Sequence, residues 1–161
     1  MLTFEELYIS YSPDVYRFAN WLSGNANDAE DITAETFTRA WVNFATIRTE
    51  TLKAYLFTIA RNIYLESLRK HRMHESLNDA HPDSHPPPEK ALEFQSELEQ
   101  IHATLLTLTE IDRSAFVMRV QYDLSYAEIA RVLQISEGAA KVKVHRARKL
   151  VYVLHSKKES Q

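Results

Sequence analysis

The stretch Ser125–Leu150, SYAEIARVLQISEGAAKVKVHRARKL, decides how the chain is read. Ser125-x-x-Glu128 is a capping box in front of Ile129, Ala130 and Leu133, which predicts a short helix. Gln134-Ile135-Ser136 interrupts it, and Ser136 can cap a second helix reaching about Leu154. Two helices joined by a three- to four-residue turn form the helix-turn-helix layout. At about 100° per residue, Ala140, Val144, Ala147 and Val151 share one face of the second helix. Gly138, Val142, His145, Arg146 and Lys149 lie opposite, with Lys141 and Arg148 on one flank and Lys143 on the other. Lys141 to Leu150 holds five lysines and arginines and no acid.

Cations near a helix C-terminus complement the macrodipole and keep a surface soluble. That reading does not explain why the positive charge begins at Lys141, near the helix start, or why a capped partner helix stands directly upstream. A recognition helix explains both, because basic side chains neutralise phosphates and residues near the helix N-terminus reach base edges. The chain's net charge of -3 is no obstacle. Binding DNA needs a local positive face, not a basic protein.

Composition bounds the rest. The chain of 161 residues is 45% hydrophobic and 25% charged, which is globular. It has no cysteine, so disulfides, thiolate catalysis and thiolate zinc sites are excluded, and a reducing compartment fits. The start, MLTFEELYISYSPD, is not a signal peptide, and no apolar run reaches the roughly 20 residues of a membrane span. A cytoplasmic protein without membrane insertion is expected. Only Gly24 and Gly138 are glycine. No Walker loop or dinucleotide fingerprint is present, and long stretches rich in Leu, Ala, Glu and Arg predict an all-α fold.

Asn78 to Lys90, NDAHPDSHPPPEK, carries Pro82, Pro86, Pro87 and Pro88 and reads as a linker. It divides the chain into two small helical domains, 1–75 and 91–161, joined by 76–90. Four helices are expected in the first: Thr3 to Ser10, Pro13 to Ser23 with Pro13 in the first turn, one starting near a capping box at Asn27-x-x-Glu30, and Leu52 to Arg72. The second domain opens with a helix near Ala91 to Leu106, striped by Leu98, Ile101 and Leu105. A helix capped by Thr109 follows, bearing Phe116, Val117 and Val120, and then the helix-turn-helix.

Two N-terminal features are suggestive. Asp28, Glu30, Asp31 and Glu35 crowd the start of one helix. Macrodipole complementation accounts for part of this, and a protein-docking surface accounts for more than metal catalysis does. The helix LKAYLFTIARNIYLESLRKHRM interleaves Tyr55, Phe57 and Tyr64 with Lys53, Arg61, Arg69, Lys70 and Arg72. Such interleaving suits unstacked single-stranded bases, although core packing accounts for any one of these aromatics.

Taken together, DAEDITAETFTRAW, then LKAYLFTIARNIYLESLRKHR, a linker, and LSYAEIARVLQISEGAAKVKVHRARK resemble the extracytoplasmic-function (ECF) class of bacterial RNA polymerase sigma factors. The resemblance covers nearly the whole chain, with three motifs in order. It implies a non-enzymatic factor, without cofactor or small-molecule substrate, that binds core RNA polymerase and directs promoter-specific initiation. By position, Asp28, Asp31, Glu35, Phe37 and Trp41 would dock on the polymerase clamp, with core packing the alternative for Phe37 and Trp41. Asn43, Lys53, Tyr55, Arg61, Asn62 and Arg69 would serve the downstream promoter element and its melted strand. Lys141, Val142, Lys143, His145, Arg146, Arg148 and Lys149 would meet the upstream element as duplex, and the same domain would contact the polymerase flap. An anti-sigma partner is a further implication of the family.

The chain also departs from the family pattern. Gln134 replaces a usual turn glycine and would be strained by roughly 1 kcal/mol if left-handed. Ala139, Ala140 and Val142 replace a Thr-Val-x-Ser pattern, and Ala34 a frequent glutamine. One alternative is a stand-alone helix-turn-helix regulator, which leaves the N-terminal motifs unused. Another is a metal-dependent hydrolase or sensor built on His71, His74, His81 and His85, whose flexible spacing makes a poor cage.

Overall fold

A computed structural model of the chain describes residues 2–77 and 96–159. The expected linker at 76–90, with its prolines, His81 and His85, falls almost wholly outside the described residues, as does the expected helix start near Ala91. Among the described residues the chain forms α-helices and two short 3-10 turns, with no strand. The helices are α1 (Phe4–Ser23), α2 (Ala26–Val42), α3 (Leu52–Leu77), α4 (Glu97–Leu106), α5 (Glu110–Val120), α6 (Tyr126–Leu133) and α7 (Glu137–Glu159). No helix among them is long and apolar enough to cross a membrane.

The first departure from expectation is α1, one continuous helix with Pro13 inside it rather than two helices. Proline removes one i→i−4 hydrogen bond and costs about 3 kcal/mol in a helix interior. Pro13 is exposed, while Leu7, Val15, Phe18, Ala19 and Leu22 are buried on the other side. Burying each large apolar side chain contributes about 1.5–3 kcal/mol, so packing outweighs the local stop signal. The second departure is the cap of α2. Asn25, not Asn27, accepts from the amides of Asn27 and Asp28 at 2.8 and 3.1 Å. The pattern Asn27-x-x-Glu30 lies one turn too late.

The caps in the C-terminal half form where expected. Thr109 Oγ accepts from Asp112 N, and the Ser125–Glu128 box is reciprocal at 3.1 and 2.8 Å. The first helix of this half differs: Ser96, with extended backbone, caps it through Glu99 N, so α4 starts at Glu97 rather than near Ala91. Leu105 of the α4 stripe is buried and Ile101 packs against the core, but Leu98 stays exposed.

The N-terminal and C-terminal helices share one core. Phe18 of α1 and Phe57 of α3 stack at 4.3 Å, and the ring of Tyr122, in the turn after α5, meets Phe57 edge-on at 4.8 Å. The Tyr122 hydroxyl donates to Asp14 O at 3.3 Å. Arg113 of α5, only 4% exposed, donates to Leu22 O at 3.0 Å and so places a cation at the C-terminal end of α1. Trp21 packs on His102 of α4 at 4.7 Å. Gly24 ends α1 with φ +68°, and a Cβ there would stand 3.1 Å from Leu106 Cδ1. Glycine is needed twice at that point, for the left-handed cap and for the approach of α4.

Candidate nucleic-acid interface

α6 and α7 carry the motif. α6 buries Ile129, Ala130, Val132 and Leu133. It ends at Gln134 with φ 57° and ψ 48°, so the turn is left-handed without a glycine. The amide of Ile135 closes it by donating to Ala130 O at 3.0 Å. Ser136 Oγ then accepts from Ala139 N at 3.0 Å and starts α7. Ala140, Val144 and Ala147 are fully buried against α5 and α6, and Val151 packs beside them. Small side chains on this face let α7 lie close to its supports.

The remaining faces point outward. Lys141, Val142, His145, Arg146, Arg148 and Lys149 are exposed. Gly138, on the same side, meets nothing nearer than Ser136 Oγ at 4.0 Å, which leaves the helix start open to approach. Lys143 departs from the set: its ammonium is 3.2 Å from Asp112 Oδ1 of α5, with both side chains largely buried. It ties α7 to its support and is not part of the outward basic face. Two residues that the motif does not reveal join this face. The ring of Tyr126 meets both Arg119, at 4.7 Å, and Lys141, at 5.7 Å. Tyr126 sits at the start of α6, and Arg119 comes from α5, so no local spacing signals the cluster.

The second basic set is arranged differently. Asn43 is exposed and donates to Arg39 O at 3.3 Å, ending α2. Lys53 pairs with Asp14 at 3.5 Å and lies 5.8 Å over the Tyr122 ring. Tyr55 packs half-buried against the core. Arg61 is only 9% exposed, and its Nε and Nη2 donate to the two carboxylate oxygens of Glu110, Nη2 at 3.0 Å. Asn62 and Arg69 are exposed.

On α2, Asp28, Asp31 and Glu35 are exposed and line a cleft of ≈ 500 Å³ with residues of α3, among them Glu66 and Lys70. Arg39 bridges Glu35 at 3.1 Å and Glu66 at 3.0 Å. The guanidinium's hydrogen bonds hold the Glu66 carboxyl below the ordinary range and raise Arg39 in turn. Phe37 is buried, edge-on to Tyr8 at 5.0 Å. Trp41 is 62% exposed and leans edge-on against Phe4 at 4.8 Å. The structure therefore separates the two aromatics: Phe37 is core, Trp41 is available. Among the described residues, no cluster of His, Asp and Glu could hold a metal ion, and His71 pairs with Glu75 at 3.0 Å.

Comparison with known proteins matches both halves. The model of Sigma-70 region 2 matches residues 7–73, and that of Sigma-70, region 4 matches residues 98–151. The chain is 27% identical to ECF RNA polymerase sigma factor SigM of Bacillus subtilis, over 97% of each. It is 34% identical to ECF RNA polymerase sigma factor EcfG of Rhodopseudomonas palustris, over 84% of this chain and 76% of that protein. Among solved structures it resembles the sigma factor RpoE of Bartonella quintana, crystallised with the anti-sigma factor NepR. There the TM-score is 0.80 at 25% identity, covering 95% of this chain and 96% of that one. Two region models in order, a capped helix-turn-helix and an all-helical fold agree: this chain belongs to the ECF family of RNA polymerase sigma factors.

Proposed function

We propose that the chain binds core RNA polymerase and directs promoter-specific initiation, with residues 1–75 acting as region 2, 76–90 as linker and 91–161 as region 4. The observation that carries this reading is the outward face of α7. Lys141, His145, Arg146, Arg148 and Lys149 are exposed together on a helix whose opposite face is locked into the core. Such a helix can enter a major groove with its start toward the bases and its cations toward phosphates. Val142 is exposed beside them and suits apolar contact with a thymine methyl.

Asp28, Asp31 and Glu35, exposed on the side of α2 toward α3, and Trp41, exposed against Phe4 of α1, are the polymerase-docking residues of this reading. Phe37 supports it from within the core. Asn43, Lys53, Tyr55, Arg61, Asn62 and Arg69 serve the downstream element and its melted strand. An anti-sigma protein is the regulator this reading assigns, as the solved relative RpoE was crystallised with one. The work of such a factor is recognition and strand separation, with no bond made or broken by its side chains.

The test combines the purified chain with bacterial core RNA polymerase and a genomic DNA pool. Stable binding and new, discrete start sites are expected. Binding to duplex DNA with no binding to core polymerase would instead favour a stand-alone regulator. Lys141→Ala with Arg146→Ala is expected to weaken use of the upstream element and leave polymerase binding intact. Changes at Asp31 or Glu35 are expected to do the reverse.

A further inference from the structure

We propose that the ion pair between Arg61 of α3 and Glu110 of α5 is a latch that keeps the free chain closed, with Glu110 occupying Arg61 in place of a DNA phosphate. An arginine fork accepts carboxylate and phosphate in the same bidentate geometry, so the two compete for one guanidinium. Both Glu110 oxygens are engaged by Arg61, and Ser114 Oγ donates to one of them at 2.9 Å, holding the carboxylate in place. The pair is largely buried, at 11% and 15% side-chain exposure, and its members lie 49 residues apart on opposite sides of the linker.

The same docking covers a second cation. Tyr122 brings its ring over Phe57 and beneath the ammonium of Lys53, and its hydroxyl reaches Asp14 O, next to the carboxylate that pairs with Lys53. Region 4 thus occupies Arg61 and screens Lys53 in one movement. Asn62, Arg69 and, on α7, Lys141, His145, Arg146, Arg148 and Lys149 stay open. Closure therefore silences part of one DNA face and leaves the other ready. Opening solvates the two charges but also exposes the apolar contact between Phe57 and Tyr122, and a partner that binds only the open form shifts the balance by its preference for that form. Polymerase docking on the exposed α2 face while region 4 is held elsewhere would do this. The proposal rests on Arg61 being a promoter contact.

The experiment uses the full chain, which has no cysteine of its own, with cysteines introduced at exposed Glu30 on α2 and Arg131 on α6 for spin labels. Pulsed electron-spin distance measurement should give one narrow population. Glu110→Lys should raise the open population about tenfold or more, because a buried charge facing a like charge is expelled. The charge swap Arg61→Glu with Glu110→Arg should restore the narrow distribution, which distinguishes opening from misfolding. A broad distribution in the unchanged chain, or no response to Glu110→Lys, overturns the latch. A second reading measures affinity for a fluorescein-labelled random-sequence duplex with an unpaired bubble. Glu110→Gln should bind several-fold tighter than Glu99→Gln, which removes the same charge from exposed α4. If the distances open but the two affinities rise equally, the assignment of Arg61 as a DNA contact fails, and with it the competition.

Discussion

α7 and α3 each carry arginines and lysines toward a candidate DNA face, and the fold treats them in opposite ways. On α7, between Lys141 and Lys149, Lys141, Arg146, Arg148 and Lys149 stand in solvent, whereas Lys143 is drawn inward to Asp112. On α3 the arginine nearest the aromatic stretch is buried and matched by a carboxylate from the other half of the chain. A sequence displays charge but not counter-charge. The lesson is that basic residues on a helix report a DNA surface only after their partners are known.

The largest test of the contrast concerns the core beneath α3. Phe57→Ala should cost about 3–5 kcal/mol, the range for emptying a buried aromatic site. Because Phe57 stacks on Phe18 and meets Tyr122, both halves should lose stability in a single thermal transition; two separated transitions would mean that the halves do not share a core. Next comes the paired cation. Arg61→Met strands Glu110 and should cost about 3 kcal/mol or more in urea unfolding. Arg146→Ala, on the exposed face, should change stability by no more than about 0.5 kcal/mol. It should instead lower the salt slope of duplex binding by about one. Equal stability costs at the two sites would erase the difference between the helices.

A smaller effect lies in the turn between α6 and α7. Gln134 is left-handed, so Gln134→Gly should stabilise the chain by about 1 kcal/mol, read as a higher midpoint in denaturant. The smallest is a pH effect at the junction of the halves. Burial holds His102 below its ordinary value of 6.5, with Arg113 opposing protonation further and backbone groups of Trp21 and Asn20 partly offsetting both. The unfolded chain then takes up this proton first as pH falls, so stability should decline on acidification from about pH 6.5 until the folded form also protonates. His102→Gln should flatten that decline. An unchanged slope would place the pH dependence elsewhere.

How much of this was legible in the sequence follows from distance along the chain. The helix-turn-helix was readable because its caps are local: Ser125 with Glu128, and Ser136 with Ala139, lie three residues apart. The buried face of α7 was readable from period alone. Pro13 misled because local propensity opposed a helix that five buried side chains enforce. Asn27 misled because Asn25, two residues earlier and just after the left-handed Gly24, was the better placed cap. The roles of Lys143 and Arg61 were not legible at all, since Asp112 and Glu110 lie 31 and 49 residues away. Trp41 and Phe37 looked alike as helix-face aromatics, and only packing separated one as core and the other as exposed.

The most direct test of the difference between the two basic faces is residue-resolved chemical modification of lysines and arginines in the free chain, with and without random-sequence duplex DNA. Lys141, Arg146 and Lys149 should react in the free protein and become protected by DNA, while Arg61 should resist modification in both. An Arg61 that reacts in the free chain as readily as Arg146 would contradict the burial of that guanidinium against Glu110.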